Sequence, residues 1–138
     1  MIEWKDEYEL GIPLIDEQHK KLFDIAGDAQ ELLLMPKSMD KFDEIATIID
    51  ELRAYVEFHF EAEQGIMEKI RFPKYFSHKF EHQALIKKMN ELDIHNIDDD
   101  QQNQLLNIVT LIIDWITEHV LEKDKVMAAH YKKVKREV

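Results

Sequence analysis

Residues 59–82 read HFEAEQGIMEKIRFPKYFSHKFEH and place three histidines and several carboxylates among phenylalanine, isoleucine and methionine. The proline in this stretch predicts the end of one helix, a turn and the start of the next. His59 and Glu63 are four residues apart before the turn, and His78 and His82 are four residues apart after it. Side chains at this spacing project from nearly the same side of a helix, so each pair faces one direction.

The composition is that of a compact helical domain. Of the 138 residues, 45% are hydrophobic and 34% are charged, and there are three glycines and three prolines. The net charge of −11 argues against binding nucleic acid or an anionic membrane through a basic surface. The absence of cysteine excludes disulfides, iron–sulfur clusters and cysteine-ligated zinc.

Two features of the sequence indicate a cytoplasmic protein. The first residues, MIEWKDEYEL, lack the basic region and apolar run of a signal peptide. The longest apolar candidate, LLNIVTLIIDWI at 105–116, is interrupted by polar residues, so we expect no stretch that spans a bilayer.

The apolar periodicity predicts four amphipathic helices joined by short links, and hence an all-α, up-down-up-down four-helix bundle. The predicted helices run from Asp16 to about Met35, from Ser38 or Asp40 to about Ile70, from about Lys74 to Leu92, and onward from the polar loop at 93–100. We expect a single domain over 1–138, with an ordered non-helical arm (1–15), the bundle (about 16–124) and a short C-terminal helical segment (125–138).

Titratable residues replace apolar ones in the predicted core stripe of every helix. Extending the stripes by helical spacing leads to His19 on the first helix, His59 and Glu63 on the second, His78 and His82 on the third, and His119 on the fourth. In an alternating bundle these positions fall at one end, with those on the second and third helices roughly 10–20 Å from the turn. Histidine and glutamate are costly to bury alone, so we expect them to be partners of one another.

Imidazole and carboxylate groups together suit iron, zinc, copper or manganese. Five imidazoles exceed the capacity of one four-coordinate zinc, which favours two metal ions. Carboxylates can bridge such a pair at a separation of about 3.5–4 Å. His95 in the loop, His130 in the basic tail, and the carboxylates of Glu61, Glu68 and Glu81 lie off the stripes, so we expect them to be solvated.

The same residues form a family pattern. IDEQH at 15–19, HFEAE at 59–63, HKFEH at 78–82 and HVLEKD at 119–124, preceded by an arm that carries a tryptophan, resemble the hemerythrins, especially the bacterial single-domain forms. The resemblance covers essentially the whole chain. It implies two non-haem iron ions bridged by an oxo or hydroxo group. It further implies that His78, His82 and His119 hold one iron, that His19 and His59 hold the other, and that Glu63 and Asp124 bridge both.

Asp124 comes from the resemblance alone. It lies five residues after His119, a spacing that turns about 140° around an ideal helix, so the two side chains face different ways. If both bind metal, the fourth helix must end or bulge between them.

The resemblance also implies reversible dioxygen binding at the iron with two histidines, for oxygen storage, delivery or scavenging rather than enzymatic turnover. The matching pocket walls are Leu22, Phe60, Trp115, Ile116 and Val120. A di-iron enzyme acting on nitric oxide or peroxide, an iron-oxidising store, and an oxygen or iron sensor module are the alternatives. No histidine follows a glutamate by three residues, which disfavours the ferritin-like class of di-iron bundle.

Overall fold

The computed structural model describes residues 2–92 and 100–137, and within them the chain is almost entirely helical. After a single 3₁₀ turn at Asp6–Tyr8, the elements are α1 (Pro13–Leu34), α2 (Phe42–Lys69), α3 (Tyr75–Asn90), α4 (Gln101–Trp115), a π-helical segment (Ile116–Lys123) and α5 (Asp124–Glu137). The last three run on without a break. Helix α1 packs against α2 and α4, and α2 packs against α3, which confirms the predicted all-α four-helix bundle.

Helix α1 begins at Pro13, three residues before the predicted start at Asp16. Pro13 occupies the first turn, where a missing N–H costs nothing. The buried carboxylate of Asp16 accepts hydrogen bonds from the backbone N–H groups of Leu10 and Gly11, at 2.8 and 3.2 Å. Gly11 adopts a φ of 84°, which favours glycine. The arm is thereby fixed against the start of the helix.

Two apolar clusters fill the interior. The large one runs through the bundle and contains the predicted stripe residues of α1, α2 and α4, including Leu22, Ile49 and Ile108. The small one joins the arm, the turn between α2 and α3, and α5; it consists of Leu10, Ile12, Ile15, Met67, Ile70, Phe72, Met127 and Ala128. We call this small cluster the end plug.

The C-terminal segment is a helix of 14 residues, Asp124–Glu137, over nearly the range of the predicted short helical segment. This helix is partly buried because its Met127 packs in the end plug. His130, predicted to be solvated, is half-buried: its Nε2 lies 3.1 Å from the carbonyl oxygen of Ile70, and its ring contacts Phe72. His95 lies outside the described residues.

Among the described residues, one helix, Gln101–Arg136, meets the length and composition criterion for a membrane span, which was not expected from the sequence. Its most apolar window has a mean hydropathy of 1.2, and the core helix of a soluble protein passes the same criterion. Leu105, Ile108 and Ile112 from this helix are buried in the bundle core, so helix packing accounts for its apolar side chains.

Candidate metal centre

The bundle brings together all seven residues that the sequence analysis assigned to the metal site. They come from five elements: His19 on α1, His59 and Glu63 on α2, His78 and His82 on α3, His119 on the π-helical segment, and Asp124 at the start of α5. None is more than 4% exposed. Such burial of seven titratable side chains in one place requires that they compensate one another or bind cations.

The seven side chains form two overlapping groups, each with ligand atoms within 4.8 Å of one another. The three-histidine group comprises His78, His82, His119 and Glu63. The two-histidine group comprises His19, His59, Glu63 and Asp124. Glu63 belongs to both, so the two groups lie side by side.

Glu63 divides its two oxygens between the groups. Its Oε1 lies 2.5 Å from His78 Nε2 and 3.6 Å from His119 Nε2. Its Oε2 lies 2.9 Å from His59 Nε2. One carboxylate oxygen therefore faces each group, which is the arrangement of a bridging ligand.

Asp124 divides its oxygens in the same way. Its Oδ1 lies 2.9 Å from His78 Nε2 and 3.3 Å from His119 Nε2, on the three-histidine side. Its Oδ2 lies 3.0 Å from His19 Nε2, on the other side. The two carboxylates thus span the same pair of positions.

The π-helical segment explains how His119 and Asp124 face the same point. The backbone N–H of Asp124 donates to the carbonyl oxygen of His119, five residues earlier, so the two residues lie one wide turn apart. The predicted bulge between them is confirmed. Short π-helical stretches are uncommon and occur frequently at functional sites.

The contacts inside the cluster are short, and most of them lack the geometry of hydrogen bonds. His19 Nε2, His59 Nε2, Glu63 Oε2 and both oxygens of Asp124 are buried without a hydrogen-bond partner among the described residues. Three imidazole Nε2 atoms also converge, with His119 Nε2 lying 3.1 Å from that of His78 and 2.9 Å from that of His82. Nitrogen and oxygen atoms that converge on common points, most of them without hydrogen bonds to one another, fit cation ligation.

Burial and neighbouring charges shift the pKa values of the imidazoles in opposite directions. Burial lowers the pKa of His19 and of His82 to about 4, which keeps both neutral and able to bind metal. Burial also disfavours the charged form of His78, but the carboxylates of Asp124 and Glu63 outweigh it and raise its pKa to about 9. In the metal-free protein, His78 therefore carries the positive charge that the two carboxylates attract.

The five predicted pocket walls lie beside the cluster or in the core around it. Phe60 stacks on His82 with ring centroids 3.7 Å apart, and Trp115 stacks on His119 at 5.1 Å. Leu22, Ile116 and Val120 are buried in the same core cluster as Phe60. Whether these side chains line an oxygen site stays a prediction.

Three polar residues that touch the ligands were missed by the sequence analysis. Gln18, Gln64 and Glu81 each adjoin a ligand in sequence but contact a ligand on a different element: His59, His82 and His119, respectively. Adjacent helical residues point about 100° apart, so such a neighbour reaches across to the next helix. Glu81, which was expected to be solvated, is 38% exposed, but its carboxylate also contacts His119. Sequence adjacency to a ligand on an inward-facing stripe was the available signal for that contact.

Comparison with known proteins agrees with this geometry. The family model described as the hemerythrin HHE cation binding domain matches residues 10–131. The chain belongs to the hemerythrin family. As a hemerythrin it binds non-haem iron, and the cluster has the donor set for the two ions of a di-iron centre. Family membership also supports oxygen binding.

Several relatives carry the name bacteriohemerythrin. One from Clostridium acetobutylicum is 46% identical over 91% of this chain and 97% of its own. One from Stenotrophomonas maltophilia is 27% identical over 96% of this chain and 82% of its own. One from Campylobacter jejuni is 27% identical over 86% of each chain. The match thus extends over nearly the whole of these relatives.

Proposed function

We propose that this hemerythrin binds dioxygen reversibly at its di-iron centre, for oxygen storage, delivery or scavenging. The ligand assignment is His78, His82 and His119 for one iron, His19 and His59 for the other, and Glu63 and Asp124 as bridges. The observation that carries the assignment is that each carboxylate directs one oxygen toward each histidine group.

The assignment makes the two metal positions unequal. Counting one oxygen from each carboxylate, the three-histidine position has five protein donors and the two-histidine position has four. The position with fewer donors is the one at which a small molecule can be accommodated. When bound, a di-iron centre supplies two one-electron couples for a reversible reaction with dioxygen.

The protein around the ligands favours reversible binding over turnover. Phe60, Ile116 and Val120 are at most 2% exposed and present apolar surface to the interior beside the ligands. Apolar walls exclude water, and among the described residues the histidine, aspartate and glutamate atoms that converge in the two groups all belong to the proposed ligands. These features support an oxygen carrier and give no support to a catalytic acid or base.

Anaerobic reduction followed by exposure to air tests the proposal. We expect about two irons per chain by metal analysis and an oxygen-dependent charge-transfer band that disappears when oxygen is removed. Irreversible oxidation on first exposure, or continued consumption of peroxide or nitric oxide, would instead indicate a di-iron enzyme. A protein that takes up only zinc would contradict both readings.

Glu63→Ala tests the bridging role, with Glu61→Ala as the matched control. Both residues lie on α2, but Glu61 is exposed whereas Glu63 is fully buried in the cluster. We expect a sharp loss of iron from the first variant and none from the second. Normal iron content in Glu63→Ala would refute its assignment.

A further inference from the structure

The outer nitrogens of two ligand imidazoles face neutral amides. The Nδ1 of His59 lies 2.7 Å from the Oε1 of Gln18, which is 3% exposed. The Nδ1 of His82 lies 3.1 Å from the side-chain amide nitrogen of Gln64. Since the Nε2 atoms of both rings point into the cluster, these amides contact the side of each ring that faces away from it.

The outer nitrogen of His119 faces a carboxylate. Its Nδ1 lies 3.4 Å from the Oε2 of Glu81, and the Oε1 of Glu81 lies 3.5 Å from the Nζ of Lys123. Among the described residues, no other carboxylate is paired with the outer nitrogen of a ligand imidazole. The three-histidine position therefore has a charged group behind one ligand.

The position of Glu81 suits it to hold the π-helical segment. It lies on α3 directly before His82, and its two oxygens reach His119 and Lys123, both on that segment. One side chain thus ties α3 to two points of the segment. A cavity of about 280 Å³, lined in part by Glu81, Trp115 and Glu118, opens beside these contacts.

A carboxylate that contacts the outer nitrogen of a ligand imidazole affects the properties of the bound metal as well as those of the ring. It orients the ring, fixes the proton on Nδ1 and raises the basicity of Nε2. The effect of a carboxylate exceeds that of an amide, because a hydrogen bond to a charged acceptor is roughly twice as strong as a neutral one. Glu81 is 38% exposed and has room to move the roughly half an ångström that shortens 3.4 Å to such a bond.

We propose that Glu81 is a positioning residue that orients His119 and lowers the reduction potential of the three-histidine iron, and that Lys123 moderates this effect. The proposal rests on the ligand assignment given under the proposed function. A more basic His119 favours the ferric over the ferrous ion, since the ferric ion carries the higher charge. The exposed pair between Glu81 and Lys123 is itself worth little to stability, so the effect on potential is separable from folding.

Variants at Glu81, Lys123 and Glu118 test the proposal, by potentiometry on the iron-loaded protein and by zinc affinity. Glu81→Gln keeps a hydrogen-bond acceptor but removes the charge, and Lys123→Met removes the opposing cation. Glu118→Gln is the control, because Glu118 lines the same cavity but pairs with no histidine among the described residues. Glu81→Ala removes both charge and acceptor.

We expect Glu81→Gln to shift the equilibrium about tenfold toward the ferrous state, which is about 59 mV for one electron. Lys123→Met should shift it the opposite way, and Glu118→Gln by clearly less than Glu81→Gln. Equal shifts in Glu81→Gln and Glu118→Gln would show a general effect of cavity charge and overturn the proposal. A shift in Lys123→Met of the same sign as in Glu81→Gln would overturn the role of Lys123.

Zinc affinity, measured by chelator competition, gives a readout without iron or oxygen. Loss of such an outer partner typically weakens metal binding 10- to 100-fold, so we expect about that loss in Glu81→Ala and none in Glu118→Ala. Unchanged zinc affinity in a folded Glu81→Ala protein would overturn the positioning role. Failure of the wild-type protein to bind oxygen would refute the proposed function but leave this comparison intact.

Discussion

At the scale of single residues, the buried imidazoles differ in the charges that face them. His19 and His82 lose solvation without gaining enough negative charge, so their pKa values fall to about 4. His78 is also buried but lies close to both carboxylates, and its pKa rises to about 9. Burial likewise raises the pKa of Asp124 to about 7, with the neighbouring charge of Glu63 acting in the same direction. The metal-free cluster thus contains neutral imidazoles, those of His19 and His82, beside the charged imidazole of His78.

These shifts predict that the metal-free protein loses stability as the pH falls from about 6.5 toward 5. In that interval the unfolded chain protonates His19 and His82 while the folded chain does not, which favours unfolding. Asp124 offsets the effect of one of the two histidines. Its raised pKa means that, in this pH interval, the folded protein binds a proton at Asp124 that the unfolded chain does not. The stability contributed by His78 is fully present below 6.5 and does not change.

The net difference is one proton, or about 1.4 kcal/mol per pH unit. Urea unfolding of the metal-free protein at several pH values measures this slope. His82→Leu removes one of the two histidine contributions, so we expect its slope over the same interval to be close to zero. An unchanged slope in this variant would contradict the assignment of a lowered pKa to His82.

Gln18 gives a second prediction at this scale. Gln18→Leu keeps the size of the side chain but leaves the Nδ1–H of His59 without its acceptor at 2.7 Å. We expect the affinity of the two-histidine position for zinc to fall about 10- to 100-fold while the other position is unaffected. Chelator competition resolves the two sites.

Gln30→Leu is the control for Gln18→Leu. Gln30 is also on α1 and also accepts a 2.7 Å hydrogen bond, but from the backbone of Ile2, away from the cluster. Both variants lose one hydrogen bond from the same helix. Equal losses of zinc affinity would point to general destabilisation of α1.

At the scale of elements, the π-helical segment is the part of the fold most dependent on the metal site. Its hydrogen bonds are of a rare type, and the unpartnered atoms of Asp124 lie at its end. The preceding helix α4 has a regular ladder and an Asp100 side chain that caps its first turn. The two parts of one continuous helix therefore differ in local stability.

We predict that amide hydrogen exchange in the metal-free protein is faster over 116–123 than over 101–115. Metal binding should slow exchange most in 116–123, because it fixes His119 and Asp124 at the two sides of the wide turn. Exchange followed by peptide-level mass spectrometry measures both segments in one experiment, with α4 as the internal control. Equal protection of both segments on metal binding would contradict this view of the segment.

The elements also show where sequence reasoning succeeds and where it stops. Helical periodicity locates His19, His59, Glu63, His78, His82 and His119, because each occupies a core position of a regular helix. It cannot locate Asp124, whose orientation depends on a non-standard turn, and it does not reveal the contact of Glu81 with His119, which lies on another element. Asp16 resembles a helix cap in sequence, but the arm supplies the N–H groups that it binds.

At the scale of the whole molecule, the metal cluster lies between the two apolar clusters. The large core occupies the bundle on one side of it. The end plug closes the other side: Ile15 is one turn from His19, Met67 one turn from Glu63, and Met127 one turn from Asp124. The arm and α5 are thus the parts that separate the ligands from solvent at this end.

This arrangement predicts that the end plug controls iron retention independently of overall stability. Met127→Ala and Leu105→Ala each truncate a fully buried side chain, the first in the end plug and the second in the large core. Each should cost about 2–5 kcal/mol of unfolding free energy through lost packing and a new cavity. Only the first opens the end of the bundle next to the ligands.

We therefore expect iron loss from the reduced protein to a ferrous chelator, measured anaerobically well below either unfolding temperature, to be faster in Met127→Ala than in the wild type. Leu105→Ala should release iron at the wild-type rate, because its cavity lies in the large core away from the plug. Thermal unfolding of both variants shows whether their losses of stability match. If the two release iron at the same raised rate, retention follows global stability, and the end plug has no separate role in shielding the ligands.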